Sequence, residues 1–132
     1  MKTVSSLGVF LGLVGTLAGC NPFAPDQSVQ LDVTKLDAPA TISSGDALTV
    51  TLTVTLNGCE RFDHIAVSRD LSDASFTVWG IDASKGRKDI ACPSIIKSDP
   101  HSYRLLPPYG NPFTLQVQRG RLGPLTTTVQ VQ

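Results

Sequence analysis

Histidine, tryptophan, methionine and net charge are all in short supply in this 132-residue chain. It holds two His, one Trp, one Met and two Tyr, and only 17% of its residues are charged. Lys and Arg number 11 and Asp and Glu number 11, so neither sign is in excess. That balance leaves no global basic footprint for nucleic acid. His64 and His101 are the only histidines, and neither stands at ligand spacing from a cysteine, so no zinc set of three or four ligands is legible. There is no C-x-x-C pair, no G-x-S-x-G elbow, no EF-hand-type acidic loop and no Gly-rich phosphate cradle. Asp63 precedes His64, and Asp99 and Ser102 flank His101. A Ser-His-Asp triad, however, is defined by geometry and not by sequence neighbours. The sequence therefore assigns no catalytic residue, no metal site and no cofactor. Its length allows one domain. A hydrophobic share of 41% is too high for a disordered chain.

What is present begins with an address. Lys2 supplies a positive start, and residues 7–17 are apolar and uncharged. Eleven such residues are too few to span a bilayer, which takes about 20. A charged start, a short apolar core and small residues before a cut form the pattern of an export signal. Leu17-Ala18-Gly19-Cys20 closes the segment. These residues resemble the lipobox of bacterial lipoproteins. The resemblance implies cleavage after Gly19, so that residues 1–19 are a signal peptide. It also implies a diacylglycerol thioether on Cys20, which becomes the acylated first residue and the attachment to the membrane. Asn21 stands where an Asp favours inner-membrane retention in that family, which leans the expectation toward an outer membrane. One acyl chain holds a protein only marginally, whereas two or three hold it firmly. Residues 20–27 then read as a tether with two prolines and no periodicity, reaching at most about 25 Å from Cys20 when extended.

With Cys20 committed to lipid, Cys59 and Cys92 remain. Export places them where disulfides persist, and two cysteines allow one intramolecular pairing. The expectation is a structural bridge. Closing a loop of this length stabilises a fold by roughly 3–4 kcal/mol in the chain-entropy model.

Residues 28–132 alternate with a period of two. Leu48, Val50, Leu52, Val54 and Leu56 fall on one face and Thr49, Thr51, Thr53 and Thr55 on the other. Strict alternation of this kind marks a half-buried strand. Shorter alternations centre on Val29–Val33, Ile65 with Val67, Phe76 with Val78, Phe113–Val117 and Leu125–Val131, and 94–97 and 103–106 are further short candidates. Gly, Pro, Asn and Asp clusters punctuate them. Six to eight strands at this spacing predict an all-β fold, an antiparallel β-sandwich with one disulfide. The pattern resembles immunoglobulin-like and fibronectin-III-like sandwiches. It departs from the former in the separation of Cys59 from Cys92 and in the position of Trp79.

Several residues are candidates for contact with a partner. If Phe76 and Val78 face inward, alternation puts Trp79 outward, unless a bulge near Gly80 turns the indole back. Tyr109 and Phe113 lie in or beside the Pro-rich loop 107–113, and loops on a rigid scaffold often bind. Arg87 and Lys88, with Lys85, form one basic turn and Arg119 with Arg121 another. Side by side they make a patch for an anionic partner; apart, they are solvated charge. Asp63, Asp70, Asp73, Asp82 and Asp89 crowd the middle and read first as turn caps, with calcium as the alternative. The expected function is that of a lipid-anchored envelope lipoprotein with a non-catalytic binding or structural module. Its expected partners are the membrane and an unidentified envelope protein or glycan. The alternative is an inhibitor or small-ligand binder using the 107–113 loop, and a small hydrolase is the least favoured.

Overall fold

The computed structural model describes residues 27–132. The signal segment, Cys20 and most of the tether lie outside the described residues. Nine strands follow: β1 (Gln27–Gln30), β2 (Asp32–Asp37), β3 (Thr41–Ile42), β4 (Leu48–Leu56), β5 (Glu60–Arg69), β6 (Asp73–Asp82), β7 (Lys97–Leu105), β8 (Phe113–Arg119) and β9 (Leu122–Val131). No helix is present among the described residues, and the fold is all β in two sheets. The smaller sheet has the order β2-β4-β7. In the larger, β5 pairs one side of β6, β8 and β1 pair its other side, and β9 and β3 follow.

Both sheets bury one face against a common core. The inward side chains of β4, from Leu48 to Leu56, are all buried, and they meet Ala74, Phe76 and Val78 of β6 and Phe113, Leu115 and Val117 of β8 in one cluster. The alternation read from the sequence is thus the packing pattern of the sandwich.

Three features differ from expectation. The count is nine strands: the run through Val29 and Val33 is broken in two, and the unexpected β3 adds another. Leu31 is the pivot: it is buried, its N–H donates to Val78 O at 2.9 Å, and the chain passes there from the larger sheet to the smaller. Secondly, not all pairings are antiparallel. β6 runs parallel to β8, and the two-residue β3 runs parallel to β9. Thirdly, the two candidates at 94–97 and 103–106 are one strand, β7, which starts at Lys97 and passes through Pro100. Its inward positions oppose the inward residues of β4 and include Asp99, His101 and Tyr103. Polar residues on the core side of an edge strand, together with a proline, hid this strand from a search for apolar alternation.

Cys59 and Cys92 form a disulfide with a Cα–Cα separation of 5.2 Å. It ties the tight β4–β5 turn to the long β6–β7 connection, residues 83–96. Gly58 and Gly80 mark close approaches. A Cβ at Gly58 would lie 2.5 Å from Pro93 O, and one at Gly80 would lie 2.6 Å from Arg61 O and Leu31 Cδ2.

Two stability predictions follow. Gly80→Ala overpacks the Leu31 pivot and lowers unfolding free energy by about 1–3 kcal/mol in urea denaturation. The double variant Cys59→Ala/Cys92→Ala loses roughly 3–4 kcal/mol by the same measurement, through loop entropy restored to the unfolded chain. A loss under about 1 kcal/mol would show that the bridge constrains little.

Candidate functional site at the open side of the sandwich

β5 and β7 are edge strands of the two sheets, and Phe62 of one meets His101 of the other. Phe62, Ile65 and Val67 of β5 are half-buried and point inward. Phe62 and Ile65 are three residues apart and would face opposite ways in a regular strand. A bulge reconciles them: Phe62 pairs with Gly80 and His64 with Trp79, leaving Asp63 as the extra residue. Across from them, the His101 ring stacks on Phe62 with centroids 3.6 Å apart, and Tyr103 meets Phe76 edge-on at 5.8 Å. His101 Nε2–H donates to Asp99 Oδ2 at 2.7 Å, with both side chains about a quarter exposed. His64 Nδ1 donates to the adjacent Asp63 Oδ2 at 2.6 Å on the outside.

The two His–Asp pairs are local. Ser102, the hydroxyl next to His101, sits on the other face of β7 and bonds Thr51 Oγ1 at 3.1 Å. No residue beside His101 therefore brings a nucleophile to the imidazole. No group of three or more metal-ligating side chains occurs among the described residues.

Arg69 ends β5 and organises the next loop. Its guanidinium donates to Leu106 O at 2.6 Å and Pro108 O at 2.5 Å. The same group lies 5.3 Å from the ring centres of Tyr109 and Phe113. The Tyr109 hydroxyl accepts the Leu48 N–H at 3.1 Å and lies 2.9 Å from the carbonyls of Asp46 and Leu105, either of which can take its proton. Two cis peptide bonds, Pro107-Pro108 and Asn111-Pro112, shape the loop. Beside it opens a cleft of about 570 Å³, lined by Arg69, Leu71, Tyr103, Leu105, Leu106 and Pro108 among others. Leu71 and Leu106 are about 60% exposed at its mouth. With its N–H groups on backbone carbonyls, Arg69 holds the wall in place and is not set to clamp a carboxylate.

The loop candidates fare differently. Phe113 is completely buried, which corrects its reading as a contact residue: it is part of the core. Tyr109 is half-buried with its hydroxyl committed to the loop. Trp79 keeps the outward side of β6, half-exposed, because the bulge falls in the partner strand β5 and leaves the alternation of β6 unbroken. Arg87 and Lys88 are exposed in the 83–96 loop. That basic turn and the β8–β9 hairpin both flank β1: Gly86 faces the Gln27 side chain and Gly120 faces that of Gln30. Sequence reasoning missed Arg69, Phe62 and Tyr103. Their roles come from register, which only a fixed bulge and a fixed edge order define.

Asp70 and Asp82 bracket β6 with the same device. Each carboxylate accepts the hydroxyl and the N–H of the Ser two residues on, at 2.6–2.8 Å. These bonds, led in each case by the Ser hydroxyl, hold both carboxyls below the ordinary Asp value. Two of the crowded acids are turn caps.

Comparison with protein-family models, with curated proteins and with solved structures finds no match for this chain.

Two outcomes are expected. A carboxyl depressed in the folded state stabilises above its unfolded value, near 3.9, and this is lost as pH falls through the lower folded value. Asp70→Ala and Asp82→Ala should therefore be less stable than the parent at pH 6, and the gap should narrow as pH is lowered below the ordinary Asp value, read by denaturant midpoints. Arg69→Ala should lose about 2 kcal/mol, and Arg69→Lys should recover less than half, since a single ammonium nitrogen replaces the two separate guanidinium nitrogens that reach Leu106 O and Pro108 O. Full recovery by Lys would show that charge alone matters there.

Proposed function

We propose that this chain is a lipid-anchored protein of a bacterial cell envelope, and that its domain is a non-catalytic module that binds another envelope component. The observation that carries the reading is the lipobox, Leu17-Ala18-Gly19-Cys20, followed within seven residues by a disulfide-stapled sandwich. The ionisable groups support the non-catalytic half. Asp70 and Asp82 serve turns, Arg69 serves a loop, and His101 is stacked and bonded to Asp99. We read the two-sheet architecture as immunoglobulin-like, on the support of facing sheets with one core and an N-terminal segment that switches sheets. The binding surface of this reading is the cleft beside Arg69 with its exposed Leu71 and Leu106.

The second reading is an inhibitor or small-ligand binder. It is favoured by the same cleft, one wall of which is the Pro107-Pro108 segment of the loop.

A photo-crosslinking residue at Leu106 in living cells separates the two. The envelope-module reading expects one dominant envelope protein captured by the lipidated form and lost with Cys20→Ser. Capture that survives Cys20→Ser, with suppression of a secreted hydrolase by the unlipidated protein, would favour the inhibitor.

A further inference from the structure

The domain has two unlike poles. At one, the 43–47, 70–73 and 106–112 connections meet: Tyr109 Oη reaches Asp46 O, and the Gly110 N–H reaches Leu71 O. Its connections carry Asp46 and Asp70, Asp73 opens β6 beside them, and the Arg69 guanidinium reaches in from the end of β5. At the other pole the described chain begins. Gln27 pairs with Asp82, Lys85 Nζ donates to Ser28 O at 3.4 Å, and the 83–96 loop projects beside it. That loop and the first residue of β7 carry Lys85, Arg87, Lys88 and Lys97 against Asp89, with Asp82 and Glu60 at the flanking strand ends. They also carry Ile95 and Ile96, which are 63% and 79% exposed. An adjacent pair of bare isoleucines among lysines has no role in the core. The loop is nonetheless held firmly: the Cys59–Cys92 bridge fixes it, Ala83 N–H donates to Cys59 O at 3.0 Å, and Pro93 lies over Gly58.

We propose that this pole docks on an anionic phospholipid bilayer, with Ile95 and Ile96 entering the interface and Lys85, Lys88 and Lys97 meeting the headgroups. The inference rests on the acylation of Cys20. From there to Gln27 the chain reaches at most about 25 Å, so the pole bearing Gln27 is the one kept at the surface. The nine residues of β4 separate the poles by roughly 30 Å, which points the far pole and the Leu106 cleft away from the membrane. Apolar side chains that share a connection with lysines are the combination that an anionic interface takes up. An acidic protein partner would account for the lysines and leave the isoleucines unexplained.

The test uses the full-length protein, expressed with its own leader, purified from membranes and reconstituted into vesicles containing brominated lipid. In a Trp79→Phe background, a single Trp is placed by Ile96→Trp or, at the opposite pole, by Leu106→Trp. The mass of the N-terminal peptide reports whether Cys20 is acylated. On vesicles with 30% phosphatidylglycerol, bromolipid should quench the Ile96→Trp signal at least about threefold more than the Leu106→Trp signal. On pure phosphatidylcholine that difference should fall by half or more. Acylated protein with equal quenching at the two positions overturns the docking and leaves the anchor standing. A difference unchanged on neutral vesicles overturns the headgroup contact. Unacylated Cys20 overturns the anchor, and the docking with it.

Discussion

The inward face of β4 is the constraint on which this molecule depends. β4 is the central strand of a sheet of only three, so its five inward side chains supply most of that sheet's contribution to the core. Its neighbours are weak partners. β2 carries a bulge after Val33, and β7 brings Asp99, His101 and Tyr103 to its inward side. The larger sheet must therefore close over β4, which it does by bringing Phe76, Phe113, Leu115 and Val117 against it and by sending Leu31 across as a hinge between sheets.

Because the β7 side is polar, Ile65 and Val67 of β5 do not close the sandwich there alone. Aromatic contacts complete the closure, Phe62 on His101 and Tyr103 on Phe76, and Arg69 extends it to the loop beyond. The cleft is what remains open after that closure. Its position thus follows from the composition of one edge strand. Fold and site share a cause here: residues unsuited to a dry core were placed at the margin, and the margin is where a second molecule can reach them.

The sequence was legible wherever alternation was unbroken. β4, β6, β8 and β9 follow from their period-two runs, and the disulfide follows from cysteine count once Cys20 is set aside. It was illegible where long-range pairing decides. Nothing local to Asp63 announces a bulge, yet the bulge turns Phe62 and Ile65 to one side. Nothing in Thr41-Ile42 announces a strand, because two residues gain their ladder only from the C-terminal strand they meet. Phe113 read both as the head of an alternating run and as a loop aromatic beside prolines; it is the first residue of β8 and is buried, as the alternation required. The outward setting of Trp79 was legible as one of two alternatives, and the strand that carries the irregularity decided between them.

Two of the sheet edges, β5 and β7, also bear on behaviour at high density. Exposed strand edges are templates on which further strands add, and crowding like molecules side by side raises that hazard. Here Pro100 interrupts the middle of β7 with a residue that has no N–H to offer, and the Asp63 bulge interrupts β5 with a charge. A dense two-dimensional film of these domains would find neither edge continuous enough to zip with its neighbour. The irregularities that make these strands hard to read in the sequence therefore also make these two edges poor templates for a further strand.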